Sequence, residues 1–257
     1  MRIRPDVELA NASDLGCVRT GNEDYFLYIE PDDDDEFARR GRLLVVTDGM
    51  GGRSGGEVAS RLVAETVRDV FLGADHDDPR QLLIEAFSKA HQAVVDLAAE
   101  EPELNGMGTT CCAAIFRHGQ MYFGHVGDSR IYLIRDGQAE QLTEDHSLVA
   151  RMVREGVLTP EQAERHEQRN VLTQALGVNS ESLAGDFPAT PLDLQLGDVV
   201  LVCTDGLHGL VDGAQMALIL DHQPLADACK ELVALAKVRG GPDNITVQML
   251  GIRRGEK

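Results

Sequence analysis

The sequence is poor in positive charge. It sets 24 Lys and Arg against 43 Asp and Glu, for a net charge of -19. Affinity for a polyphosphate rests on cations that neutralise it, so this balance argues against nucleic acid as a partner. A single phosphate is still admissible where cations line its site. Long apolar runs are missing too. The N-terminal MRIRPDVELANASD has no hydrophobic segment behind its arginines, and no stretch approaches the length of a membrane span. The expectation is a soluble, unsecreted, cytoplasmic protein with no membrane partner. The five cysteines (Cys17, Cys111, Cys112, Cys203, Cys229) lack metal-ligand spacing. Adjacent Cys111 and Cys112 would point to opposite faces of a strand, and reduced core thiols are expected, as in a cytosol. Low-complexity tracts and repeats of solenoid length are absent. The longest charge run, PDDDDEFARR (31–40), reads as a solvated loop between two strands.

What is present supports a real core, since 43% of residues are hydrophobic. Strand signals fall at about 42–47, 110–117, 120–126, 130–135, 199–203 and 245–251. RHGQ (117–120) and RDGQ (135–138) read as hairpin turns, so much of the pairing should be antiparallel. Two helical patterns lie between the first two strands. One carries Val58, Leu62, Val63, Val67, Val70 and Phe71 at helical spacing and stops at Gly73; the other has Asp78 as cap and Pro79 in its first turn. A third helix is expected near 224–238. Hairpins with paired helices between them favour an α+β fold with helices packed outside antiparallel sheets, against a three-layer nucleotide-binding alternative. No internal break resembles a domain boundary, so 1–257 reads as one domain. The polar segment 144–177, with two short helices and a cap at Thr159, reads as a surface excursion able to cover a site.

One stretch poses a sharper question. In VVTDGMGGRSGGE (45–57) an apolar strand runs into Asp48 and then into a crowd of glycines. The pattern returns at Asp128 in MYFGHVGDSR and at Asp205 in VVLVCTDGLHGL, and Asp243 sits in GGPDNITV. Any one of these aspartates has an ordinary reading as a cap or turn. Four together suggest carboxylates converging at one edge, where they would repel unless protonated or neutralised by cations. Oxygen-only ligation without His or Cys points to Mg²⁺ or Mn²⁺, and the carbonyl of Gly49 could approach such an ion directly. Two ions about 3.5–4 Å apart would activate a water and stabilise a transferring phosphoryl group, the chemistry of a hydrolase. SDLGCVRTGNEDYF (13–26) adds Arg19, whose fork matches phosphate, and Glu23 and Asp24, which could hold metal-bound waters. On spacing alone Arg19 is as well read as a surface arginine.

Taken together, SDLGCVRTGNED, VVTDGMGG, GMGTT (106–110), GHVGDSRIYL, LVCTDGL and GPDNITV resemble the metal-dependent protein phosphatases, the type 2C serine/threonine group, in the right order from about residue 7 to 252. The resemblance implies a two-sheet sandwich with helices on both outer faces and metals at one end. It implies that Asp48 bridges two ions, that Gly49 lends its carbonyl, and that Asp205 and Asp243 complete one of them. Asp128 with Asp205 would offer a third, weaker site, Arg19 would take the substrate phosphate, and 144–177 matches a flap that shapes substrate choice. Two departures stand out. Eukaryotic members place a histidine, the general acid, after the first Asp-Gly; here Met50 stands there, as in bacterial members. Bacterial relatives often have a histidine at the place of Arg53, which could recruit phosphopeptide charge or face solvent. His208 is the nearest candidate acid, or a plain loop histidine. The expected substrates are phosphoproteins made by a serine/threonine kinase, with a phosphatase-like binding module and a small-phosphoester enzyme as alternatives. Oligomeric state has no signature in the sequence.

Overall fold

The computed structural model describes residues 3–51, 55–178 and 185–253. Strands β1 (Val7–Asp14) and β2 (Asp24–Ile29) precede a short helix α1 (Asp34–Arg40) and strand β3 (Arg42–Met50); two long helices follow, α2 (Gly55–Gly73) and α3 (Pro79–Glu100). The short β4 (Gly108–Thr109) leads to β5 (Cys111–Arg117), β6 (Gln120–Val126), β7 (Arg130–Arg135) and β8 (Gln138–Gln141). Helices α4 (Leu148–Arg154) and α5 (Pro160–Ala163) occupy the excursion. Then come β9 (Leu192–Asp193), β10 (Val199–Cys203), α6 (Asp205–His208), α7 (Gly213–Asp221), α8 (Leu225–Val238) and β11 (Ile245–Ile252).

Among the described residues the strands form two sheets, ordered β1-β11-β10-β7-β8 and β2-β3-β5-β6-β9, with β4 joined to β3. All the pairings are antiparallel. Period-two alternation sorts each central strand between two cores. Leu43 and Val45 of β3 pack with α2 and α3, whereas Leu44 and Val46 face the other sheet. Leu201 and Cys203 of β10 pack under α7 and α8, and Val200 and Val202 join the inter-sheet core. The layers are therefore helix, sheet, sheet, helix, the architecture expected from the hairpins. Cys111 and Cys112 fall on opposite faces of β5 as expected; Cys17, by contrast, is exposed and not a core thiol.

Both expected hairpin turns form. His118 and Gly119 take φ of 53° and 76°, and Asp136 and Gly137 take 51° and 72°, the left-handed pair that matches strand twist. The expectation for 31–40 is corrected: residues 34–40 form a helix and only 31–33 are loop. Asp33 caps it by accepting from the Glu36 backbone N–H, its acids fill the first turn, and Arg39 and Arg40 fill the last. That order complements the helix dipole, which composition alone conceals. Arg40 is buried because its guanidinium reaches the Phe71 and Ala74 carbonyls at the end of α2, at 2.6 and 2.7 Å. No helix of the described residues is long and apolar enough to cross a membrane.

Strand direction sets the working edge. Asp24 at the start of β2 lies opposite Asp48 near the end of β3. The start of β7 and the start of β11 flank the end of β10, where Cys203 pairs with Arg130 and Val247. The segments carrying Asp128, Asp205 and Asp243 are thus neighbours on one sheet, and Asp24 and Asp48 on the other.

Candidate functional site

The aspartates meet. The Asp48 carboxyl is pushed well above the usual carboxylate range, first by burial and then by the charges of Asp24, Asp205, Asp128 and Asp243. Asp24 rises to about 7 through burial, against hydrogen bonds from Thr246 and Thr204 and with the charges of Asp205 and Asp243. Asp128 rises to about 8 through burial and Asp205, and Asp205 to about 6 through burial and Asp243, relieved in part by Arg19. Without cations such a cluster must hold protons to exist. Asp24 Oδ1 and Asp205 Oδ1 are buried with no hydrogen-bond partner among the described residues. Unsatisfied buried carboxylate oxygens among like charges are the donor set a hard cation fits, and there is no nitrogen or sulfur ligand in it.

The glycines serve close approach. A Cβ on Gly49 would sit 2.0 Å from the Gly56 carbonyl oxygen, so the first turn of α2 lies directly against the end of β3. A Cβ on Gly206 would sit 1.9 Å from the Asn244 carbonyl oxygen, which seats α6 on the turn that carries Asp243. Each Asp-Gly pair thus brings a second backbone segment against its aspartate. Arg53 lies outside the described residues.

Arg19 is half-exposed at the rim, its Nη2 donating to Asp243 Oδ2 at 2.7 Å with Glu23 Oε2 at 3.5 Å from Nη1. Glu23 lies beside the cluster, its carboxyl raised by burial, with Arg19 opposing that rise. Asp24 is 6% exposed and accepts from the Thr204 hydroxyl at 2.9 Å. Several residues that hold this arrangement escaped the sequence reading. Asn244 takes the Glu23 N–H on Oδ1 and donates Nδ2 to the Leu15 and Gly21 carbonyls, clamping the Arg19 loop to the Asp243 turn. The Thr110 hydroxyl takes the Asp48 N–H at 2.9 Å and pairs with the Ser129 hydroxyl at 2.7 Å, linking the two sheets' carboxylates. Arg130 grips Asp145 with two 2.8 Å bonds. GPDN, GTT and GDSR carried that signal, but only as neighbours of an aspartate.

His208 is fixed. Its Nε2 donates to the Asp128 carbonyl at 2.9 Å, and burial, then Arg130, push its pKa down to about 3. It is a neutral prop for the Asp128 turn, not a proton donor. Arg19, Asp128, Asp205 and Asp243 open onto a cleft of about 880 Å³, whose far wall is the 144–177 excursion with Val149, Val153, Arg165 and Arg169.

The pattern of the family described as Protein phosphatase 2C matches residues 30–238. The chain belongs to the protein phosphatase 2C family. The serine/threonine protein phosphatase PstP of Mycobacterium tuberculosis is 36% identical over 250 residues, 96% of this chain and 45% of PstP, so the chain spans about half of that relative's length. Protein phosphatase PhpP of Streptococcus pneumoniae is 34% identical over 251 residues, 96% of this chain and 98% of PhpP. A solved structure of the PstP catalytic domain in complex with two manganese ions is similar at a TM-score of 0.81 and 33% identity, covering 96% of this chain and 99% of that one. The two-sheet architecture is therefore that of bacterial members of the family.

Proposed function

We propose that this protein is a metal-dependent protein serine/threonine phosphatase. The observation that carries the reading is the convergence of Asp24, Asp48, Asp128, Asp205 and Asp243, with buried oxygens of Asp24 and Asp205 left unpartnered. In this reading Asp48, Gly49, Asp205 and Asp243 hold two Mn²⁺ or Mg²⁺ ions, and Asp128 with Asp205 a third, weaker one. Bound there, the ions would supply an acidified water for direct attack on phosphorus and positive charge opposite the transferring phosphoryl group.

The chain's own residues do the rest. Arg19, freed from one of its carboxylate partners, offers a planar fork to the substrate phosphate. Glu23 and Asp24 accept hydrogens from water around the carboxylates and keep it oriented. Met50 has no proton to give and the His208 N–H is committed to the Asp128 carbonyl, so neither protonates the leaving oxygen. The cleft beside the carboxylates exceeds what a phosphate monoester fills, which favours a phosphorylated segment of a protein as substrate, delivered by an opposing serine/threonine kinase. Four buried, unbridged cysteines suit a reducing cytoplasm.

Release of phosphate from a phosphothreonine peptide, measured with added Mn²⁺ or Mg²⁺ and again after chelation, tests the reading. Turnover that appears with metal and disappears with chelator is expected. Folded protein that binds the peptide and never hydrolyses it would make this a binding module, and a higher kcat/KM on a sugar phosphate would make it a small-molecule enzyme.

A further inference from the structure

Beneath the Gly127–Ser129 turn lies a second cluster that the carboxylate site does not use. His125, at the end of β6, is completely buried, and among the described residues neither of its ring nitrogens makes a well-formed hydrogen bond, the Ser129 backbone giving the ring only a weak polar contact. The ring of His146 lies against it, 4.7 Å between centroids and tilted 40°. Asp186 is the backbone partner of His125, the two exchanging N–H···O bonds of 3.0 and 2.9 Å, and its carboxylate sits 3.2 Å from His146 Nε2. One ligand atom from each of the three lies within 4.8 Å of the others. A buried imidazole so poorly satisfied is costly, and the usual remedies are a water or a metal.

We propose that His125, His146 and Asp186 form a binding site for a borderline transition ion such as Zn²⁺, distinct from the oxygen-only carboxylate cluster. Two imidazoles and one carboxylate match the nitrogen and oxygen preference of zinc, as the five aspartates match Mg²⁺ or Mn²⁺. Burial and the neighbouring His146 hold the His125 pKa down at about 4, so the ring is neutral, the form a metal takes. Bonds of about 2.0–2.2 Å place tetrahedral ligands roughly 3.4 Å apart, so the group closes by at most about 1.4 Å. The Asp186 side chain is 55% exposed, which gives it freedom to move and opens the fourth position to water.

The site is wired to Asp128. His146 accepts the Gly127 N–H on Nδ1 at 3.2 Å, and its backbone N–H donates to the Gly127 carbonyl at 2.8 Å. With Nδ1 an acceptor, the neutral ring carries its proton on Nε2 and gives it to Asp186. An ion on Nε2 moves that proton to Nδ1, where it faces the Gly127 N–H. Loading therefore breaks one of the two bonds that hold the residue before Asp128.

The test is Zn²⁺ binding by the full chain in excess Mg²⁺, which occupies the oxygen ligands, read by calorimetry. One equivalent of Zn²⁺ is expected, weakened about tenfold or more in both Asp186→Ala and His125→Gln. Because Asp186 is largely solvent-facing, its variant retains the fold and keeps the test decisive should the buried His125 variant misfold. Loaded protein is also expected to show shifted ring ¹⁵N resonances for His125 and His146 and a shifted Gly127 amide. No zinc uptake, uptake unchanged by Asp186→Ala, or unmoved histidine resonances would each overturn the proposal. Binding is the readout, so the outcome does not depend on whether the chain hydrolyses phosphate.

Discussion

At Asp205 the fold tolerates what stability alone would remove: a buried oxygen without a partner and a neighbour, Asp243, of the same charge. Neutralising it should relieve the metal-free fold while removing a ligand. Asp205→Asn is therefore expected to melt no lower than the parent without metal, yet to lose roughly two orders of magnitude or more in kcat on a phosphothreonine peptide. A variant with near-parental turnover would remove Asp205 from the site. Arg19 acts on the substrate side. Losing charge-assisted hydrogen bonds of about 1.5–3 kcal/mol, Arg19→Ala should raise KM about tenfold or more, and Arg19→Lys should recover only part, because an ammonium has no fork. Steady-state kinetics on the same peptide decide it, and an unchanged KM in Arg19→Ala would make Arg19 a surface residue. These aspartates were legible in the sequence because each sits beside a glycine at a strand end. Asn244 was not, since its partner Glu23 lies 221 residues away and nothing local in PDN announces a clamp.

Elements were legible where the local pattern was unbroken. The continuous apolar runs of β3 and β5, buried on both faces, the turns at 118–119 and 136–137, and the capped starts of α3 and α5 all follow from neighbours in sequence. The 31–40 segment was misread because acids ahead of arginines look like solvated charge until a helix dipole is placed under them. Strand β1 has no clear signal because Glu8, Asn11, Ser13 and Asp14 interrupt its apolar positions, several of them exposed or half-buried. Gly49 is expected from the sequence to bring its carbonyl to a metal, and its contact with Gly56 also makes it the point where α2 meets β3. Gly49→Ala places a methyl 2.0 Å from the Gly56 carbonyl oxygen and must push α2 off β3. Overpacking of this kind costs about 1–3 kcal/mol or more, a drop in Tm of roughly 2–12 °C for a domain this size. Gly73→Ala at the other end of α2, where a Cβ meets nothing within 4 Å, should leave Tm within about 2 °C. Equal melting of the two variants would mean that the approach of α2 to β3 is slack.

For the whole molecule, two sheets that share one inter-sheet core also share one edge, and that edge concentrates negative charge in a chain already at -19. The consequence is a pH dependence whose sign follows from linkage. Asp24 at about 7 and Asp128 at about 8 lie far above the roughly 3.9 of an unfolded aspartate, with Asp48 raised further. Between those limits the folded chain holds more protons than the unfolded one, so metal-free stability is lost as pH rises through the folded values. Buried histidines work in the opposite direction. His208 and His125, depressed to about 3 and 4, cost stability only as pH falls below about 6.5, where the unfolded imidazole takes a proton. From about pH 6.5 to 7.5 the carboxylates act alone; above that the buried thiols of Cys111, Cys112, Cys203 and Cys229, raised by burial, add a loss of the same sign, so the metal-dependent part of the change reports the carboxylates. Chelated protein is therefore expected to melt at a lower temperature at pH 8.5 than at pH 6.5, and Mn²⁺ or Mg²⁺ to raise Tm more at the higher pH, where the ions replace protons the cluster has lost. Thermal melts at the two pH values, with and without metal, read both effects. A chelated protein whose Tm does not fall, or a metal increment independent of pH, would mean that the carboxylates do not crowd one another at this edge.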